Sequence, residues 1–115
     1  MLVDSHCHLN MLDLTPFDGD LSGVIRSAKA AGVTTMLCIG VDIDNMQSVL
    51  ECAQRFEQVF ATVGVHPSDC QDTVLSSQEI LAMANAPKVV GIGETGLDYY
   101  YDNTGQSLRK AIKTK

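Results

Sequence analysis

The run Val33-Thr34-Thr35-Met36-Leu37-Cys38-Ile39-Gly40-Val41 is almost entirely apolar or β-branched. It lacks the polar alternation of a half-solvated strand and reads as a strand buried on both faces, which is the habit of parallel sheets covered by helices. The segments flanking it are helical in spacing. Leu21, Val24, Ile25, Ala28 and Ala31 recur at offsets of 3, 4, 7 and 10 from the first, and Gly32 follows as a terminator. After Asp42 and Asp44, the residues Met46, Val49, Leu50, Ala53 and Phe56 repeat those offsets. Two helices with the same apolar stripe, separated by a strand that needs cover, predict βα units with helices packed on a parallel sheet.

The remaining segments continue the alternation. Leu2 to Leu9 reads as a first strand, Val59 to Val65 as a third and Val89 to Gly93 as a fourth. The third helix has the clearest start in the chain: Ser76-Ser77-Gln78-Glu79 is a capping box, with Leu75 and Ile80 as its hydrophobic staple. It is expected to reach about Ala86, where Pro87 forces an exit. Asn10 to Asp20, marked by Pro16 and Gly19, is a loop whose apolar residues either pack it down or help to form a substrate surface. Strand ends near His8, Gly40, Val65 and Gly93 give units of about 24 to 32 residues.

Eight such units make a (β/α)8 barrel of roughly 250 residues, and the 115 residues here allow half of one. The fold class expected is therefore α/β, the first four βα units of a TIM barrel, incomplete in this chain. An open doubly wound sheet has the same alternation. The barrel is preferred because His6, His8, His66 and Glu94 all fall at the carboxyl ends of strands, where a barrel keeps its active site.

Composition narrows the partners. The formal net charge is −6, yet Arg109, Lys110, Lys113 and Lys115 supply four of the eight basic residues, so residues 1–108 are more acidic than the total suggests. Such a surface repels phosphate, which excludes non-specific adhesion to nucleic acid and requires any polynucleotide contact to be local and metal-assisted. Cys7, Cys38, Cys52 and Cys70 show no C-x-x-C spacing, and Cys38 and Cys52 sit in apolar patterns, so reduced, buried thiols and a cytoplasmic location are expected. The amino terminus lacks the regions of a signal peptide, and no apolar run reaches the roughly 18 residues of a membrane span, so no membrane partner is expected.

Chemistry is concentrated at two strand ends. In Asp4-Ser5-His6-Cys7-His8-Leu9 the two histidines are two apart, so strand alternation points them the same way and lets both imidazoles reach one divalent ion. The alternative is a pair of ordinary polar residues at a strand end. The fourth strand ends in a carboxylate, Glu94, followed by Thr95-Gly96-Leu97-Asp98-Tyr99-Tyr100.

Asp4-Ser5-His6-Cys7-His8-Leu9, Gly64-Val65-His66-Pro67 and Gly91-Ile92-Gly93-Glu94-Thr95-Gly96-Leu97-Asp98-Tyr99, in that order, resemble the TatD family of metal-dependent deoxyribonucleases. The resemblance covers residues 1–102 and implies the amino-terminal half of an amidohydrolase-like (β/α)8 barrel. It implies divalent metal ions, two per complete site, without distinguishing Mg, Mn or Zn. His6 and His8 are assigned by it to the first metal and Glu94 to a bridging, catalytic position. The same resemblance implies that His66 lines the active-site mouth, touching a substrate phosphate or holding a metal-bound water; the alternative is a satisfied strand-end histidine. Asp98 is a candidate partner for a ligand histidine or a cap for the segment after Gly96, Asp4 is another candidate because alternation sets it on the face of His6 and His8, and Tyr99, Tyr100 and Tyr101 could stack a base or simply pack. The activity implied is metal-dependent phosphodiester hydrolysis of DNA, as a 3′–5′ exonuclease.

The family's later ligands, two further histidines and an aspartate, have no counterpart here, since no histidine follows His66. Residues 103–115 are read as a divergent basic tail or a truncated helix. The chain alone is therefore expected to be inactive or weakly active, with open sheet edges that favour self-association or a missing carboxy-terminal half. Two other functions fit the same residues: a metal-dependent amidohydrolase acting on a small substrate, and a non-catalytic truncated product that binds a partner.

Overall fold

The computed structural model describes residues 1–69 and 75–99. Cys70, the loop through Asp72, Tyr100, Tyr101, the boundary at residue 102 and the tail 103–115 lie outside the described residues. The described elements are β1 (Leu2–Cys7), α1 (Leu21–Ala30), β2 (Val33–Cys38), α2 (Met46–Arg55), β3 (Val59–Val63), α3 (Ser77–Ala84) and β4 (Val89–Ile92). Short 3-10 turns at Leu9–Met11, Thr15–Phe17 and Pro67–Asp69 follow or precede them. The four strands lie in the order β1-β2-β3-β4, and every adjacent pair is parallel. This succession of right-sequence βα units is the first half of the architecture of a (β/α)8 barrel, as the strand and helix spacing predicts.

Local chemistry explains where the helices begin and end. The Asp20 carboxylate caps α1 by accepting the Ser22 backbone N–H at 2.9 Å. Gly32 leaves α1 at φ +94°, a conformation that favours glycine. At α3 the capping box is complete: Ser76 Oγ accepts the Glu79 N–H at 3.2 Å and the Glu79 carboxylate accepts the Ser76 N–H at 2.7 Å. The end of α2 is held from a distance. Lys88 sits just before β4 at φ +66°, and its Nζ donates to the carbonyls of Ala53 (2.6 Å), Phe56 and Glu57 (3.2 Å). A cation there satisfies orphan carbonyls and complements the helix dipole.

The core lies between the helices and one face of the sheet. Ile25 of α1, Val49 and Ala53 of α2, Met36 and Cys38 of β2, and Val59, Ala61 and Val63 of β3 are all buried there. The other face is a different matter. Thr35 and Leu37 of β2 are only half-buried, and the edge strands expose Leu2 (61%), Val90 (61%) and Ile92 (49%). The expectation that Val33 to Val41 is buried on both faces is thus met on the helix side alone, because no described element covers the face that would line a barrel. β2, β3 and β4 also stop short of the expected Val41, Val65 and Gly93, since the chain leaves the regular ladder near Gly40, Gly64 and Gly93 and makes cross-connections described below. Among the described residues no helix is long and apolar enough to cross a membrane.

Candidate metal centre

His6 and His8 are delivered by the end of β1. Its pairing with β2 matches Asp4 to Met36 and Cys7 to Cys38, three residues against two, which marks a bulge. Asp4, at the start of the shifted stretch, accepts the His6 backbone N–H on Oδ1 at 3.2 Å. The two imidazoles meet edge to face, with centroids 5.1 Å apart and planes at 82°.

Glu94 arrives from the opposite edge of the sheet. Its Oε1 lies 3.6 Å from His6 Nε2, with the two side chains 26% and 53% exposed respectively. One ligand atom from each of His6, His8 and Glu94 falls within 4.8 Å of the others, and these three form the metal-capable cluster among the described residues. Two imidazole nitrogens and one carboxylate oxygen suit zinc, manganese or iron(II). His8 supplies an independent sign of fit: its Nδ1 is buried with no hydrogen-bond partner among the described residues. Leaving such an atom unsatisfied costs about 1–3 kcal/mol, and a cation or a further donor would remove that cost.

What brings Glu94 to this point is a set of backbone contacts around three strand ends. Glu94 N–H donates to the Gly40 carbonyl at 2.7 Å, so the end of β4 crosses β3 to reach β2. Gly93 N–H donates to Val63 at 3.0 Å on the way, and the Gly93–Glu94 peptide is cis. The crossing passes so close to Gly64 that a Cβ there would lie 2.6 Å from Gly93 C and 2.7 Å from Gly93 O. At Gly40 a Cβ would meet Thr62 O at 2.8 Å and Gly64 N at 3.1 Å. Thr62, buried in β3, accepts the Gly40 N–H on Oγ1 at 3.2 Å and donates to the Gly93 carbonyl at 3.0 Å. Sequence reading assigned nothing to Gly40, Thr62 or the packing of Gly64. Glycines near strand ends were the available signal for two of them, whereas Thr62 reads as any β-branched strand residue.

The other expected site residues lie outside the three-ligand cluster. His66, half-buried at the end of β3, donates its backbone N–H to Val41 at 2.7 Å, and its Nδ1 takes the Ser68 N–H at 3.0 Å and lies 2.6 Å from Ser68 Oγ. With Nδ1 accepting, the neutral ring carries its proton on Nε2. Asp98 is half-buried in the segment beyond Gly96, and Tyr99 is exposed. Cys7, between the two histidines, packs against the core and donates its thiol to Leu37 O at 3.4 Å. Burial, aided by the Asp4 charge, pushes that thiol up to about 12, so it stays protonated and offers no thiolate. Cys38 and Cys52 are free and buried, as expected; the hydrogen bond from Cys52 draws the Cys38 thiol below the ordinary value and holds Cys52 above it.

Comparison with known proteins places this geometry in company. The model of the family described as TatD related DNase matches residues 3–112. The chain is 42% identical over 106 residues to the 3′-5′ ssDNA/RNA exonuclease TatD of Salmonella typhimurium, covering 90% of this chain and 41% of that protein. It is 34% identical over 116 residues to the uncharacterized metal-dependent hydrolase YabD of Bacillus subtilis, covering 97% of this chain and 43% of that one. The crystal structure of YjjV, a TatD homolog from Escherichia coli K12, superposes with a TM-score of 0.77 at 29% identity, covering 97% of this chain and 43% of that chain. The chain thus spans about four tenths of the length of the relatives it matches.

Proposed function

Because the chain belongs to the TatD related DNase family, we propose that it supplies His6, His8 and Glu94 to a divalent-metal centre that hydrolyses phosphodiester bonds of DNA from the 3′ end. The observation that carries this reading is the convergence of those three side chains, from opposite edges of the sheet, within 4.8 Å of one another. The name of the Salmonella relative supports a nucleic-acid substrate, and that of the Bacillus relative supports metal-dependent hydrolysis.

A divalent cation at this site supplies Lewis-acid stabilisation of phosphate charge and makes water acidic enough to act near neutral pH. The chain's own residues do the holding and orienting. His6 and His8 bind as neutral imidazoles, and the Glu94 carboxylate offsets the positive charge from across the sheet. To His66, whose Nδ1 takes the Ser68 N–H, we assign the orientation of a substrate phosphate. Asp4 accepts the His6 backbone N–H, and we assign to it and to Asp98 the support of the ligand histidines. The acidic chain, at net charge −6, leaves metal-assisted contact as the route by which a polyanion is retained.

Three donors serve one ion, and two ions per complete site require more. We assign the rest to a carboxy-terminal half or to a second chain docked on the edges of β1 and β4, which carry no further strand among the described residues. The test is Mn2+-dependent retention of a fluorescent single-stranded oligonucleotide with a free 3′ end, followed by anisotropy. Retention that needs Mn2+ and disappears in His6→Ala supports the nuclease reading. Indifference to Mn2+ removes it.

A further inference from the structure

Glu94 belongs to the far edge of the sheet, yet its backbone is hydrogen-bonded to Gly40 at the end of β2, the strand next to the one carrying His6 and His8. That single displacement closes the gap between the ligands. Adjacent strands are spaced about 4.8 Å apart, so a flat sheet would leave β4 about 14 Å from β1, and side chains standing perpendicular to it would not bring His6 Nε2 and Glu94 Oε1 to the observed 3.6 Å. The site depends on whatever holds Glu94 over β3.

Three hydrogen bonds among four residues form a closed ring at that crossing. Gly40 N–H donates to Thr62 Oγ1 (3.2 Å), Thr62 Oγ1–H donates to Gly93 O (3.0 Å), and Glu94 N–H, on the same peptide, donates back to Gly40 O (2.7 Å). Thr62 is the one side chain in the ring and, among the described residues, the one buried polar residue. A hydroxyl is suited to this place because it donates and accepts at once; valine has the same shape and can do neither. Gly40 and Gly64 give the room, since a Cβ on either would fall within 3 Å of backbone in the crossing.

We propose that Thr62 is a positioning residue for the metal centre: its hydroxyl clasps the ends of β2 and β4 across β3 and so sets the Glu94 carboxylate against His6 and His8. This rests on the metal-centre reading above. The clasp touches neither metal nor substrate, and acts through Glu94 alone.

The test is Mn2+ binding by the 115-residue chain, measured calorimetrically for wild type, Thr62→Val, Thr62→Ser and Glu94→Gln, with circular dichroism to establish folding. Thr62→Val is expected to bind Mn2+ about tenfold more weakly, the lower end of what loss of a group supporting a metal ligand costs. Thr62→Ser, which keeps the hydroxyl, is expected to stay within about threefold of wild type. In a Glu94→Gln background the Thr62→Val change should have no further effect on residual binding, whereas a general loosening of the fold would still weaken it. Equal affinity of wild type and Thr62→Val overturns the clasp while leaving the metal centre standing. A Thr62→Ser protein as weak as Thr62→Val overturns it too, and keeps the proposal exposed even where the valine variant does not fold. No saturable Mn2+ binding by wild type overturns the metal centre and the clasp together.

Discussion

His6 Nε2 lies 3.6 Å from Glu94 Oε1, although β1 and β4 are the two edges of the sheet. A flat parallel sheet cannot make that contact. It requires the carboxyl end of the sheet to be gathered inward, and the Glu94 N–H to Gly40 O bond at 2.7 Å is the visible means. Metal-ligand geometry and backbone path are therefore one problem in this fold, and substitutions far from the ligands should reach the site through the backbone.

Gly64→Ala is the sharpest case. The new Cβ would stand 2.6 Å from Gly93 C, and backbone cannot move aside as a flexible side chain can. The expected result is a loss of about 1–3 kcal/mol in urea unfolding, the range for overpacking, together with weaker Mn2+ binding. Wild-type stability in Gly64→Ala would show that the crossing is not tight.

At the opposite end of the sheet, Lys88→Met removes the cation that serves the carbonyls of Ala53, Phe56 and Glu57 while retaining most of the apolar stem. Unfolding should become easier by about 1.5–3 kcal/mol, the range for hydrogen bonds to a charged group. Mn2+ affinity should be unchanged, because the strand ends that carry the ligands are not touched. A parallel loss of both would contradict that separation.

The start of α1 provides a pH signature. Ser22 N–H, then the Ser22 side chain and more weakly Arg55, hold the Asp20 carboxyl below its ordinary value of 3.8. The folded state therefore binds fewer protons there than the unfolded state. Its stabilisation is fully present above pH 3.8 and is lost as pH falls through the lower folded value. Asparagine caps about as well as aspartate without titrating. Asp20→Asn should match wild type in urea midpoint near pH 6 and show a shallower decline between pH 4 and 2.5; superimposable pH curves would exclude Asp20 as a contributor.

Much of this could be read from residues alone, and what could not has a common cause. The α3 capping box, the Gly32 terminator and the apolar stripes of α1 and α2 are local patterns and appear where their spacing predicts, except that Ala31 is exposed just past the end of α1. His6 and His8, two apart in sequence, stand with rings 5.1 Å apart, His8 just beyond the end of β1. The register shift between Asp4 and Cys7 arises from pairing with β2 and leaves no mark in β1 itself. The early ends of β2 and β3 are another long-range effect: beyond Cys38 the carbonyls of Gly40 and Val41 accept from Glu94 and His66, partners distant in the chain. Lys88 as the cap of α2, and Thr62 as a clasp, likewise depend on partners distant in the chain.

Mn2+ titration of wild type against His6→Ala decides whether the three side chains form a metal centre. One saturable site in wild type, weakened by at least about tenfold, or 1.4 kcal/mol, when His6 is removed, is the predicted result. Identical isotherms for the two proteins would mean that His6, His8 and Glu94 meet without holding an ion.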